Sequence, residues 1–389
     1  AIWAQGIRAL VGKSRKAAKA CAMTAMVLPP SFSIHAPRNV RDACETSMDS
    51  DTSAGSSGEI ECCPASPRIS FDAAEVLPWK PGQFTMVRTI QDAPRNKGQV
   101  HQMQDTATGR QVAVKELPND WACESPAGFA WAHPSEVERP WVDVACAAFL
   151  GSVAYPYACP LLGVYRDDHA TRIVSELASA GDLFDWARAC GQQPGPVREA
   201  AVLPLAVQLM DAVRCLHDLS IVHRDISADN ILLTHRTRDG ALQIQLIDFG
   251  MASAIRFARA GREGKPSYQA PEVHLGKVVD GFLSDAFSVA VVIYVIFLCE
   301  RPWLSTKPAS CKAFEFLRTQ GFRALMSKRK CFKQDVKVVD VMSERLLQLL
   351  EGLLAVDPAS RLMLGENAWS EGDARRSVWQ EPWVQGVSS

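Results

Sequence analysis

From Arg198 to Leu219 apolar residues recur at helical spacing, with Ala201, Leu205, Leu209, Val213 and Leu216 forming one stripe. Trp141 to Val153 reads as another helix, with Phe149, Leu150 and Val153 on one face. Val289 to Cys299 is apolar all round, the mark of a helix buried on every side. It is about half the roughly 20 residues needed to cross a bilayer, so no membrane span is expected. Further upstream, Gln83–Ile90, Gly98–Gln104 and Arg110–Leu117 read as three strands, with Thr108-Gly109 turning between the last two. Leu161 to Tyr165 reads as a further strand. The expected architecture is α+β, a small antiparallel sheet with one helix followed by a larger, mainly helical part.

Ahead of the first strand this patterning stops. Met48 to Pro67 is rich in Ser, Gly and Pro and reads as a disordered linker, and no fold is expected before about Leu77. Between Ala1 and Arg41 there is no acidic residue, while Arg8, Lys13, Arg15, Lys16 and Lys19 sit among alanines. That is the composition either of an unstructured basic tail or of an organelle transit sequence. Because the chain begins with Ala1, it is expected to be a fragment or a processed product. Residues 1–76 are therefore assigned to a tail, 77–383 to one folded domain and 384–389 to a second tail. Across 389 residues, 47% hydrophobic and 22% charged content is enough for one sizeable core. A formal charge of −1 gives no reason to expect nucleic-acid binding. The 12 cysteines show no C-x-x-C pair, so reduced thiols in a cytoplasmic protein are expected rather than zinc. Nothing in the composition fixes an oligomeric state.

One stretch concentrates the chemistry. Between Ile221 and Gly250, His223-Arg224-Asp225 stands five residues ahead of Asn230, and Asp248-Phe249-Gly250 follows an apolar run. An aspartate able to take a proton, an amide and a second aspartate able to hold magnesium then lie on neighbouring loops. Phosphoryl transfer asks little more of a protein, since its catalysis is positioning plus charge neutralisation. These spacings, with Val112-Ala113-Val114-Lys115 upstream and Ala270-Pro271-Glu272 downstream, resemble the eukaryotic protein kinase family. Asp285 with Phe287-Ser288, and Asp357-Pro358 with Arg361, extend the resemblance over about Trp79 to Trp383. Small-molecule kinases share the aspartate–asparagine–aspartate core but lack that later scaffold.

The resemblance implies a bilobal kinase fold, with a small lobe over about 80–174, a hinge over about 175–181 and a large lobe over about 182–383. It implies ATP and Mg2+ as cofactors and a protein substrate, phosphorylated on serine or threonine. Asp225 would be the base, Lys115 the anchor of the α- and β-phosphates, and Asn230 and Asp248 the metal ligands. Gly98, Val100, Ala113 and Leu232 would line the nucleotide site, the backbone of Glu176 and Ala178 would meet adenine, and Asp182 the ribose. An acid at the start of a helix, such as Asp182, is also favoured by the helix dipole alone. Ser175 would be a small gatekeeper, and His223 and Phe249 would pack with Leu150 and Leu161.

Four departures from the family pattern stand out. The three glycines of the phosphate-covering loop fall at Ala93, Arg95 and Gly98, and Pro94 stiffens the segment. The glutamate that should pair with Lys115 falls at Cys146, leaving Asp143 one turn earlier, or the more distant Glu138, as candidates. Ser227 stands where lysine belongs and Lys265 where threonine belongs, so Lys265 is expected to supply from the activation segment the charge missing at Ser227. Two independent losses are the alternative. Between Ile255 and Lys265 there is no Ser, Thr or Tyr, and Glu263 is the nearest acid for Arg224. The competing functional class is a pseudokinase, a scaffold that keeps the fold without catalysis. Lys307 to Lys333 is basic, either a solvated face or a dock for an acidic partner.

Overall fold

The computed structural model describes residues 69–93, 98–236, 240–259, 261, 263–331, 335–365 and 376–386. The expectations for residues 1–68, for Pro94 and Arg95, and for 366–375 fall outside them. Packing begins ahead of the expected boundary at Leu77. Ile69 lies against the main core, and Phe71 stacks on Trp141 with ring centroids 6.1 Å apart.

The small lobe is a six-stranded sheet with helices inserted between its fourth and fifth strands. Its strands are β1 (Leu77–Pro78), β2 (Phe84–Ala93), β3 (Gly98–Asp105) and β4 (Gln111–Pro118). Two short helices, α1 (Asn119–Ala122) and α2 (Pro126–Ala132), precede α3 (Pro140–Ser152), β5 (Leu161–Arg166) and β6 (Ala170–Glu176). The order across the sheet is β1-β5-β6-β4-β3-β2, antiparallel except for the β1–β5 pair. Alternation along β4 buries Val112 and Val114 with Met103 and Val174, which puts Ala113 and Lys115 on the opposite face. Pro140 opens α3 with its φ already helical, and Asp143 sits in the first turn, where the dipole favours an acid. The packing face of α3 differs from the expected one: the helix ends at Ser152, Val153 is 42% exposed, and Trp141, Val144, Cys146 and Leu150 carry the contact.

The large lobe continues with α4 (Leu183–Ala189), α5 (Pro196–Asp218), β7 (Ile231–Arg236) and β8 (Ala241–Leu246). It goes on with β9 (Phe257–Arg259), β10 (Val278–Asp280), α6 (Gly281–Leu298), α7 (Lys312–Gln320) and α8 (Phe322–Lys328). The last helices are α9 (Val338–Val341), α10 (Glu344–Leu353) and α11 (Pro382–Gln385). The predicted stripe on α5 is buried at Leu205, Leu209, Val213 and Leu216, facing α6 and β8. The expectation that no apolar run reaches membrane-spanning length is corrected here. The apolar helix starts at Gly281 rather than Val289, and both α5 and α6 are long and apolar enough by length and composition to cross a bilayer. In this fold α6 is the central rod of the lobe, with every residue except Ser284 buried.

Two polar contacts fasten other segments to that rod. Asp285 accepts hydrogen bonds from the backbone of His223 and Arg224 at 2.8 and 3.0 Å. Arg361, wholly buried, donates from Nη2 to Glu272 Oε2 at 2.9 Å and from Nη1 to the Leu283 carbonyl at 2.9 Å. The three-residue motif Ala270-Pro271-Glu272 is thereby locked beneath the segment that runs between Asp248 and Glu272.

Candidate active site

α5 delivers the chain through buried Ile221 and Val222 to the loop that Asp285 holds. Arg224 there has φ 68°, and Asp248 on the neighbouring loop has φ 65°. A left-handed backbone at a non-glycine residue is costly and concentrates at functional sites. Asp225 is fixed through both carboxylate oxygens: Oδ2 accepts from Asn230 Nδ2 at 3.0 Å, and Oδ1 from the Lys265 amide at 3.1 Å. Burial pushes its pKa up, and the nearby Lys265 ammonium tempers that rise.

Lys115 reaches into the same space from β4. Its Nζ donates to Asp143 Oδ2 at 2.9 Å and lies 3.6 Å from Asp248 Oδ1. Burial acts to lower its pKa, but Asp143 and Asp248 outweigh burial and hold the ammonium well above its ordinary value. For Asp248, burial acts upward and is outweighed by Lys115, so its carboxyl sits below the usual range.

The question of the partner of Lys115 is thus answered by Asp143. Its second oxygen accepts from the Phe249 amide at 2.9 Å, and the Arg139 amide donates to the Gly250 carbonyl at 2.9 Å. The start of α3 is therefore stitched to the Asp248-Phe249-Gly250 segment as well as to Lys115. Cys146, one turn on, is buried in the main core, and burial followed by the Asp143 charge pushes its thiol up to about 12. Glu138 contributes charge to Lys115 from farther away.

Lys265 and Ser227 also meet. Lys265 Nζ lies 2.6 Å from Ser227 Oγ, 3.1 Å from Asp229 Oδ2 and 3.3 Å from Asn230 Oδ1. The turn that presents it needs glycine: Gly264 has φ +84°, and a Cβ there would stand 2.7 Å from the Arg224 carbonyl. Beside it, Arg224 Nη1 lies 3.6 Å from Glu263 Oε1, so the nearest acid does face that arginine. Asp229 was not among the sequence candidates; its only signal was its place between Ser227 and Asn230.

The remaining candidates lie on β3, β4, β6 and β7 and in the loop between β6 and α4. Gly98 begins β3, and Val100 and Ala113 are half-buried on β3 and β4. Leu232 on β7 forms an isolated bridge with Asp182, which caps α4 by accepting from the Asp185 amide at 2.7 Å. Ser175 on β6 pairs with Ala113, and the Glu176 amide donates to the Pro160 carbonyl at 3.0 Å. Ala178 lies in the loop that follows β6. The His223 and Phe249 rings sit 5.0 Å apart, and Phe249 shares the main core with Leu150, whereas half-buried Leu161 lies outside that core.

The donor set suits a hard cation. Asp248 Oδ1 is buried with the Lys115 ammonium 3.6 Å away and no hydrogen bond closing on it, and Asn230 presents its amide oxygen to Lys265. Among the described residues no group of three or more His, Cys, Asp or Glu would hold a metal by itself. Two oxygens fit magnesium, which keeps waters and takes the rest of its shell from phosphates.

Comparison with known sequences points the same way. The family described as Protein kinase domain matches residues 96–371. CBL-interacting protein kinase 22 of Oryza sativa subsp. japonica is 27% identical over 323 residues, covering 78% of this chain and 62% of that protein. Serine/threonine-protein kinase SIK2 of Gallus gallus is 26% identical over 309 residues, 77% of this chain and 33% of that protein. Probable serine/threonine-protein kinase fhkD of Dictyostelium discoideum is 28% identical over 225 residues, 55% of this chain and 28% of that protein. The chain spans less than two thirds of the length of each of these relatives.

Proposed function

The chain belongs to the protein kinase family, and on that premise we propose that it is an active enzyme transferring the γ-phosphoryl group of MgATP to serine or threonine hydroxyls of proteins. The observation that carries this is the convergence of Lys115, Asp248, Asn230 and Asp225 across one cleft, each oriented by a second residue. Lys115, steadied by Asp143, holds the α- and β-phosphates. Asp225, fixed through both oxygens and raised in pKa by burial, orients the substrate hydroxyl and accepts its proton. Asp248 and Asn230 offer oxygens to magnesium, which when bound neutralises charge on the phosphates. Val100, Ala113 and Leu232 enclose adenine, and Glu176 and Ala178 meet its edge through their backbone. The ion pair between Arg224 and Glu263 supports an activation segment that docks without phosphorylation.

Two measurements test the proposal. ATP should raise the melting temperature of the protein, more strongly with Mg2+ than without. Radiolabelled phosphate should then pass from ATP to a generic basic protein, and Asp225→Asn should abolish the transfer while keeping the thermal shift. A shift with no transfer by the wild type would leave a nucleotide-binding scaffold instead.

A further inference from the structure

Lys265 does more in this structure than stand near Ser227. Its ammonium has three hydrogens and three acceptors, and the third acceptor is Asn230 Oδ1, the oxygen assigned above to magnesium. Asn230 has no second oxygen to offer. Its amide nitrogen donates to the Asp225 carbonyl at 2.9 Å and to Asp225 Oδ2 at 3.0 Å, which turns the oxygen towards Lys265. A monovalent and a divalent cation repel each other steeply at such separations in a partly buried site. Sharing that oxygen, each cation weakens the other's hold on it.

We propose that Lys265 competes with the divalent metal for Asn230 Oδ1 and, once displaced, turns its ammonium to the phosphate being transferred. This rests on the enzyme function proposed above. The stem of the side chain cannot leave, because the Lys265 amide is bonded to Asp225 Oδ1 and the Gly264 turn is pressed against the Arg224 carbonyl. Only the tip is free to swing, and the side chain is 25% exposed. Ser227 and Asp229 remain as its anchors, so the swing is short. Without metal, Lys265 offsets the mutual repulsion of Asp225, Asp229 and Asp248. With metal, that charge is no longer needed there and becomes available to the phosphate. Metal binding and delivery of the catalytic ammonium are then one event, and it requires the activation segment to be docked on Asp225.

Manganese titrations of the full chain, saturated with a non-hydrolysable ATP analogue and followed by electron paramagnetic resonance, test this directly. Wild type is compared with Lys265→Met and Lys265→Gln, the latter keeping a donor for Asp229 should the Met variant fail to fold. Both variants should bind Mn2+ roughly tenfold more tightly, the effect of losing a charge-assisted competitor. In steady-state assays their kcat should fall by about 10²–10³, with the KM for ATP little changed, as for loss of one preorganised transition-state donor. Unchanged Mn2+ affinity would overturn the competition, even if turnover fell. Tighter Mn2+ with normal kcat would overturn the delivery to phosphate. A wild type that neither takes up Mn2+ with the analogue nor transfers phosphate would defeat the enzyme assignment itself, and this proposal with it.

Discussion

Removing the Asp143 carboxylate separates two jobs that the structure gives to one side chain. Its Oδ2 holds Lys115 at 2.9 Å, and its Oδ1 accepts from the Phe249 amide at 2.9 Å. A hydrogen bond to a charged group contributes about 1.5–3 kcal/mol, and a buried donor left unpaired costs about 1–3 kcal/mol. Both groups are shielded, with Lys115 22% and Asp143 14% exposed, so solvent recovers little of either loss. Asp143→Ala forfeits both contacts. Treated as partly overlapping, they amount to about 3–4 kcal/mol, or 10²–10³ in kcat/KM. Asp143→Asn keeps an oxygen for Phe249 and loses only the charge, so a decrease of roughly 10–10² is expected. The assay is steady-state transfer to one peptide substrate, with the melting temperature recorded for each variant. Asp143→Ala within about threefold of wild type would refute the assignment, since Lys115 would then be oriented by something else. Cys146→Glu in the Asp143→Ala background should not restore activity, because Cys146 points into the main core rather than at Lys115.

Three further outcomes follow from particular contacts. Arg361→Ala strands Glu272, which is only 8% exposed; the loss of a buried pair is about 3–5 kcal/mol, which should lower the melting temperature by roughly 6–10 °C in calorimetry. Ser175→Met should weaken binding of a bulky purine-analogue inhibitor relative to wild type, and equal affinity in a competition assay would mean that Ser175 does not face the pocket. For Asp167, burial acts upward, but the Ala170 and His169 amides and the Arg172 guanidinium outweigh it and hold the pKa down to about 2. A depressed native pKa stabilises the fold above the unfolded value of about 3.9 and loses that contribution as pH falls towards 2. Asp167→Asn should therefore flatten the stability profile across that window in acid-unfolding titrations.

The parts of the fold that periodicity could reveal were legible, and the parts set by long-range contact were not. Strands and helices with a clear apolar stripe, such as β4 and α5, fall within a residue or two of their expected bounds, because one buried face dictates each pattern. The packing of Phe71 on Trp141 left no periodic trace, so the start of the domain was placed too late. The full length of α6 was missed for a related reason: Ser284 and Asp285 interrupt the apolar run, yet Asp285 is buried and satisfied by the loop it holds. At the candidate site, Asn230 and Ser227, picked out by their spacing from Asp225, meet Asp225 and Lys265 respectively through hydrogen bonds. The partner of Lys115 did not yield to counting, because the turn that carries Asp143 is held by the Phe249 and Gly250 backbone, a long-range contact with no trace in sequence spacing.

Asp143 and Lys265 share a cause. In each case the residue at the expected chain position is uncharged, Cys146 or Ser227, and a charged side chain from elsewhere makes the contact, Asp143 with Lys115 and Lys265 with Ser227. Coulombic interaction depends on where a charge sits and on how far it is shielded from water, and is indifferent to which stretch of backbone carries it. A helix can deliver a carboxylate from one turn earlier if its axis shifts, and a loop can deliver an ammonium across a hydrogen-bonded turn such as the one at Gly264. Each relocation binds the site to a new element: Asp143 ties Lys115 to the Phe249 backbone, and Lys265 ties the catalytic loop to the activation segment. Movement of either element would therefore change the electrostatics around Lys115 and Asp225 directly, with no intermediary side chain required to relay it.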